Sequence, residues 1–135
     1  MRLLPTHLEA TLALAFTLRR DGSANEAVNL LVDFLLAEPV ALPALTLLGQ
    51  SLLDARRPAE ALTALHRVLL YAPDDLAALF HVGVSFARLR RYDEAVEAWD
   101  RVVDVNPNGP LAATARQHAK SARDLSRILH VGAEG

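Results

Sequence analysis

The 135-residue chain has no cysteine. That excludes disulfides, thiolate metal ligands and thiol nucleophiles. Aromatic residues make up only 5%. No apolar run approaches the roughly 20 residues needed to span a bilayer, so no membrane insertion is expected. There is no excess of basic charge either: 14 Lys and Arg stand against 16 Asp and Glu, for a net charge of -2. Nucleic acid, whose binding rests on a basic surface, is not an expected partner. Lys120 is the single lysine among those basic residues, a hint of a GC-rich bacterial genome that carries no mechanism. The N-terminal stretch "MRLLPTHLEATLALAF" is interrupted by Pro5, His7 and Glu9. It reads as a helix entry rather than a secretion signal, and a cytoplasmic protein is the default.

Catalytic patterns are missing too. The histidines are His7, His66, His81, His118 and His130. No two of them stand four apart on one helix, and none has the HExxH context of a zinc site. Gly49 and Gly83 fall inside helical patterns and form no phosphate loop. The carboxylates Asp93, Glu94, Glu97, Asp100 and Asp104 read as a solvated helix face. No enzyme, metal or cofactor is expected.

What is present is helix. Hydrophobic residues reach 52%, and most are Ala and Leu, which favour closely packed helices over sheets. The pattern also repeats. "ARRPAEALTALHRVLLYAP" at 55–73 and "LRRYDEAVEAWDRVVDVNP" at 89–107 are 34 residues apart. They share Arg56/Arg90, Arg57/Arg91, Glu60/Glu94, Ala61/Ala95, Ala64/Ala98, Arg67/Arg101, Val68/Val102 and Pro73/Pro107. One step back, 21–39 keeps Glu26, Ala27 and Pro39 in register. Upstream of each repeat, Gly49 and Gly83 share the period, as do Ser51 and Ser85. A mid-helix glycine costs roughly 1 kcal/mol against alanine; two in one register predict a close approach by another chain segment. Around them run i, i+3, i+4, i+7 stripes, Leu45-Leu48-Gly49-Leu52 and Leu79-Val82-Gly83-Phe86.

Local signals set the helix ends. Thr6-x-x-Glu9 and Ser23-x-x-Glu26 read as capping boxes. Pro58 and Pro110 suit first-turn positions, while Pro39, Pro73 and Pro107 stop helices. The spans expected are near 7–20, 24–37, 43–55, 58–71, 75–88, 92–105 and 110–130.

A 34-residue helix-turn-helix unit with these stripes, then Ala-x-x-x-large and a final Pro, resembles the tetratricopeptide repeat. The third unit carries Leu79, Val82, Gly83, Phe86, Ala95, Trp99 and Pro107. The second carries Leu45, Leu48, Gly49, Leu52, Ala61, Leu65 and Pro73. The first departs most, with Thr11 for the large residue and Ala15 for the glycine, but keeps Leu14, Leu18, Ala27, Leu31 and Pro39. The resemblance implies an all-α, right-handed α-solenoid. A lead-in at 1–7 would precede repeats at 8–41, 42–75 and 76–109, a capping helix at 110–130 and a tail at 131–135. The cap would pack through Ala112, Ala115, Ala119 and Ala122. Arg116, Lys120, Arg123 and Arg127 would form a basic stripe on it, a solvated face or a docking site for an acidic partner.

The resemblance also implies a concave groove lined by the first helix of each unit. Its candidate residues are Glu9, Leu12, Phe16 and Arg19, then Thr46, Gln50 and Leu53, then Phe80 and Val84, with His118 from the cap. Related adaptors that hold the C-terminal carboxylate of heat-shock chaperones place Lys, Asn and Arg on these helices. Here those places carry Leu12, Phe16, Leu47, Ala77 and His81, so that clamp is absent. The mostly apolar lining suits an apolar or amphipathic peptide. The expected function is a non-catalytic scaffold or adaptor. The alternatives are a homo-oligomeric structural role, a homodimer for instance, with the trough or the cap buried by another copy, where Leu125, Ile128 and Leu129 of the cap or Leu3 and Leu4 seal an array edge or pair with a second chain, and a protein like the small type III secretion chaperones.

Overall fold

The computed structural model describes residues 7–134, with side chains through residue 130. Seven helices follow one another: α1 (His7–Arg20), α2 (Ala24–Ala37), α3 (Leu42–Asp54), α4 (Pro58–Tyr71), α5 (Leu76–Arg88), α6 (Tyr92–Val105) and α7 (Ala112–Glu134). No strand occurs among the described residues. They fit three helix-turn-helix pairs followed by one C-terminal helix. α2, α4 and α6 each stop two residues before Pro39, Pro73 or Pro107, because the residue before a proline is pushed out of helical geometry.

Several helix ends differ from expectation. Thr6 lies outside the described residues, as do Leu3 and Leu4. Ser23 stands at the N-cap of α2, but its side chain makes no capping hydrogen bond. The residue that does cap is Asp75, whose carboxylate accepts the Ala78 N–H at 2.9 Å. Pro58 opens α4 as expected. Pro110 does not open α7: it sits in the preceding turn, and the first helical bond runs from Ala115 N–H to the Leu111 carbonyl at 2.9 Å. At its far end α7 passes residue 130 and continues to Glu134.

By contact the chain divides into two compact units, residues 1–68 and 69–135. In the first, the core is built from Ala15 of α1, Ala27, Leu31 and Phe34 of α2, Leu45, Leu48 and Leu52 of α3, and Ala61, Leu65 and Val68 of α4. Apart from Phe34 these are residues of the repeat stripes, whereas Leu14, which the repeat pattern also singles out in the first unit, is 51% exposed. A Cβ on Gly49 would stand 2.6 Å from the Leu65 side chain, which is why α3 carries no side chain there. Ser51 is fully buried and its hydroxyl donates to the Leu47 carbonyl at 2.7 Å, so its polarity is satisfied within the helix.

The second unit repeats the device. Leu79, Ala95, Trp99 and Val102 form its core with Ala115, Ala119 and Ala122 of α7. A Cβ on Gly83 would stand 2.5 Å from the Trp99 indole. Ser85, also fully buried, donates to the His81 carbonyl at 2.8 Å.

The turns inside the three helix pairs share one geometry. Gly22, Arg56 and Arg90 are 34 apart and have φ of 83°, 62° and 61°. In each, the next residue's N–H reaches back five positions: Ser23 to Leu18, Arg57 to Leu52 and Arg91 to Phe86, at 2.7 to 2.9 Å. This is the Schellman closure, in which a left-handed residue ends the helix and satisfies an orphan carbonyl. Only the first repeat uses glycine there.

Candidate functional site

The candidate residues divide between the two units. In the first, Phe16 on α1 is 58% exposed, Glu9 is exposed, and Leu12, Thr46 and Gln50 are half-buried. Arg19 is brought to two partners on α3. Its Nε donates to Asp54 Oδ2 at 2.7 Å and its Nη1 to Gln50 Oε1 at 2.9 Å. Two expected ligand contacts, Arg19 and Gln50, are therefore already bonded to each other, and they tie α1 to α3. Leu53 does not line a surface. It is 3% exposed, because the apolar face of α3 widens in its last turn until Leu52 and Leu53 both turn inward. Neighbouring residues lie about 100° apart on a helix, so a broad stripe can hold both.

In the second unit, sequence positions far apart converge. His118 of α7 lies against Phe80 of α5 with the rings tilted by 36° and centroids 5.6 Å apart, and meets Trp99 edge-on at 5.1 Å. Phe80 is half-buried and packs against the core. It is less of a free surface residue than its place in the pattern predicts, since α7 brings His118 onto its ring. Trp99 also donates its indole N–H to the Phe80 carbonyl at 3.1 Å. His81 is committed elsewhere: its Nδ1 lies 2.7 Å from the Ala77 carbonyl, which can only accept, so the ring donates there.

Beside this cluster opens a cleft of about 330 Å³. Val84 and Ala87 of α5 form one wall; His118, Ser121 and Leu125 of α7 form the other, and Trp99 contributes from α6. Arg88 and Tyr92 also line it. Val84, Ala87 and His118, which the repeat pattern already turns to the groove side, line this cleft; Ser121 and Leu125 join the lining because α7 faces α5. The first unit has a second, smaller cleft of about 240 Å³, with Val28, Val32, Leu48 and Thr63 in its lining and Arg57 and Arg67 beside them. Nothing in the repeat pattern foretold it.

The basic stripe of α7 meets an acidic one. Arg123 pairs with Asp100 at 2.6 Å, and Arg116 donates to the Pro107 carbonyl at 2.9 Å. Ser126 donates to Asp93 at 2.5 Å, with His130 3.8 Å from the same carboxylate. The contacts to Asp100 and Asp93 follow one antiparallel register between α6 and α7, and the Arg116 bond extends it into the turn after α6. Two of the four stripe residues thus have partners inside the protein; Lys120 and Arg127 are exposed.

At the N-terminus of α4, Arg57 forms two bonds to Glu60, at 2.9 and 2.6 Å. That hydrogen bonding holds the Glu60 carboxyl below its ordinary range and raises the Arg57 guanidinium. Arg91 and Glu94 repeat the pair on α6. No group of three His, Cys, Asp or Glu among the described residues is placed to hold a metal. No described helix is long and apolar enough to cross a membrane.

The sequence profile of the Tetratricopeptide repeat family matches residues 46–113, half of the chain. The chain belongs to the tetratricopeptide repeat family. Among solved structures, this tetratricopeptide chain is similar to the type III secretion chaperone SycD of Yersinia enterocolitica, solved with a peptide of the translocator YopD. That likeness has a TM-score of 0.80 at 13% identity over 91% of this chain and 97% of the other. PcrH, solved with the chaperone binding region of PopD, gives 0.81 at 18% identity over 90% and 95%. The first tetratricopeptide domain of Spaghetti (RPAP3), bound to the HSP90 peptide SRMEEVD, gives 0.75 at 17% identity over 90% and 91%. At these identities the likeness is one of fold. No curated protein matches the sequence.

Proposed function

We propose that the protein is a non-catalytic interaction module that holds an apolar or amphipathic peptide on the first-helix faces of its tetratricopeptide repeats. The observation that carries this is Phe16, an aromatic ring more than half exposed on α1, with half-buried Leu12 one turn earlier. Exposed aromatic surface of this kind is where peptides anchor. The apolar cleft beside Val84 and His118 supports the same reading in the second unit. So do the peptides held by SycD, PcrH and Spaghetti, three proteins of similar fold.

A carboxylate-terminal clamp is not part of the proposal. The places where such a clamp needs cations carry Leu12, Phe16, Leu47, Ala77 and His81. Between the two SycD-like chaperones and the Spaghetti domain, the apolar lining favours a chaperone-like role toward apolar segments.

The test is display of a random-peptide library on the purified protein, with selected peptides remeasured on Phe16→Glu. Selection of apolar-rich peptides that lose affinity on Phe16→Glu supports the proposal. A library that yields no binder sinks it.

A second reading, self-association, is favoured by Leu125, Ile128 and Leu129 on α7, at 43%, 65% and 54% exposure. They stand at i, i+3, i+4 on one helix face. Light scattering across a concentration series distinguishes it: a monomer throughout removes this reading.

A further inference from the structure

The asparagines of the chain are Asn25, Asn29, Asn106 and Asn108, and their surroundings separate them chemically. An asparagine closes a five-membered ring when the backbone nitrogen of the next residue attacks its side-chain carbonyl carbon. That needs a following N–H, room at the following Cα and freedom to turn the backbone. Asn25 and Asn29 lie inside α2, where helical hydrogen bonds fix the backbone. Asn25 also accepts from Arg57 at 3.2 Å. Asn106 precedes Pro107, whose nitrogen bears no hydrogen. Asn108 differs on every count. It is exposed and lies in the turn between α6 and α7. The next residue is Gly109, which has no side chain to crowd the ring. The Gly109 N–H is held by a turn bond to the Asn106 carbonyl at 3.1 Å, and an exposed turn opens far more readily than a packed helix.

We infer that Asn108 is a self-modification site, at which the folded protein converts its own asparagine to aspartate and isoaspartate. When the turn opens, the Gly109 nitrogen gives its proton to a base in solvent and attacks Cγ of Asn108. The N–Cγ bond forms, the Cγ–Nδ2 bond breaks, and the amide group takes a proton from solvent and leaves as ammonia. Water then opens the ring. Attack at Cγ gives aspartate; attack at the backbone carbonyl carbon gives isoaspartate, whose main chain is one methylene longer. Nothing is oxidised or reduced, and water is the only co-reactant. Either product puts a carboxylate into the turn that leads to α7. That helix has no acidic residue in its first turn, whereas α1, α2, α4 and α6 each have at least one. An anion near the start of a helix is favourable. Residue 108 also adjoins Pro107, whose carbonyl accepts from Arg116 at 2.9 Å. Conversion therefore adds a charge where α7 lacks one, and the isoaspartate form lengthens the turn that seats the helix. The inference holds whether or not the protein binds a peptide.

The test is incubation of the folded full chain in mildly alkaline buffer, beside Asn108→Gln and Gly109→Ala. Glutamine would have to close a six-membered ring, which is slower. A Cβ on Gly109 would stand 2.4 Å from Asn106 Nδ2, the far end of an exposed side chain that can turn away. Circular dichroism checks each variant's fold, and if Gly109→Ala does not fold, Asn108→Gln serves alone. Peptide mapping by mass spectrometry follows the exchange of ammonia for water at each asparagine. An isoaspartyl carboxyl methyltransferase with a labelled methyl donor marks isoaspartate. Asp21, which precedes Gly22, also isomerises by such a ring, but it releases no ammonia and keeps its mass. The same chain in denaturant gives the rate without the fold.

The expected result is conversion at Asn108 in the folded chain, at least about tenfold faster than at Asn25, Asn29 or Asn106, with methyl label in the peptide that holds residue 108. Gly109→Ala slows it by at least about tenfold, and Asn108→Gln removes it. The inference is overturned if Asn108 stays intact in the folded chain while it converts in denaturant, since the turn would then protect it. It is also overturned if Asn25 and Asn29 convert as fast as Asn108, which would place the reaction in the unfolded state. Aspartate at residue 108 without any isoaspartate would overturn it as well, because direct hydrolysis forms no ring.

Discussion

The indole of Trp99 occupies the space that a side chain on Gly83 would need. The distance from an ideal Cβ on Gly83 to Trp99 Nε1 is 2.5 Å, and the same nitrogen is held by the Phe80 carbonyl on the same helix. The ring therefore cannot swing aside without losing that part-buried hydrogen bond. Gly49 meets Leu65 at a similar distance, but Leu65 has rotamers and no polar tie.

The two glycines should respond differently to alanine. Gly83→Ala gains up to about 1 kcal/mol in helix propensity and loses about 1–3 kcal/mol to overpacking. A net loss is expected. Gly49→Ala is expected to stay within about 1 kcal/mol of wild type, because Leu65 can repack. Urea denaturation of both variants checks the order; equal stabilities would mean that Trp99 yields as easily as Leu65.

A second prediction concerns the turns. Arg56 and Arg90 hold left-handed φ values of 62° and 61°, a conformation that costs a residue with a Cβ roughly 1–2 kcal/mol. Arg90→Gly should stabilise the protein by up to about 1 kcal/mol, the gain being cut by the greater freedom of glycine when unfolded. Gly22→Ala should destabilise by about 1 kcal/mol. A Cβ there meets nothing within 4 Å, so the whole effect is conformational. Thermal melts of the two variants should move in opposite directions.

The repeat made most of the fold legible. A fixed period of 34 turned weak signals such as Gly49 and Gly83 into paired ones, and the stripes around them are the observed core. The left-handed turns were harder to see, since an arginine gives no sign of positive φ. The register of Gly22 with Arg56 and Arg90 was the one available clue. The environment of the candidate site was only partly legible. Phe16 is recognisable because its exposure follows from local helix phase. Leu53, Phe80 and the basic stripe depend on what packs against them, and a single helix pattern does not carry that information. Asp100 and Arg123 each look like part of a solvated face until α6 and α7 lie antiparallel.

That pairing leads to a third prediction. The seam between α6 and α7 is buried through Ala115, Ala119 and Ala122, at 0%, 1% and 3% exposure. The Arg123–Asp100 pair is about half exposed. Exposed pairs contribute about 0–1 kcal/mol, whereas enlarging a tight seam costs about 1–3 kcal/mol. Ala119→Leu should therefore destabilise α7 more than Arg123→Ala. Hydrogen exchange of the α7 amides reads this locally; the opposite order would mean that charge rather than close packing holds the helix.

A fourth prediction follows from Glu60. Arg57 donates to both of its oxygens and holds its carboxyl below the ordinary value of 4.5. The folded state thus favours the charged form more than the unfolded chain does. The sign is fixed by linkage: the contribution is fully present above the ordinary carboxylate range and is lost as pH falls through the lowered folded value. Arg57→Gln should return the Glu60 titration, followed by side-chain carbonyl NMR, to its ordinary range. An unchanged titration would show that Arg57 is not its cause.

The last prediction separates surface from core at the two phenylalanines of the candidate site. Phe16 is 58% exposed, so Phe16→Glu should change stability by no more than about 0.5 kcal/mol. Phe80 lies tilted against His118 and packs near Trp99, with centroids 5.6 and 6.5 Å away. A carboxylate there would lose those contacts and bring charge against the core. Phe80→Glu should cost at least about 1–3 kcal/mol. Chemical denaturation compares the two directly. If Phe80→Glu is as harmless as Phe16→Glu, the aromatic cluster contributes nothing to holding α7, and both rings are then available to a ligand. If Phe80→Glu alone unfolds the protein, Phe16 is the position where loss of peptide binding can be read without loss of fold.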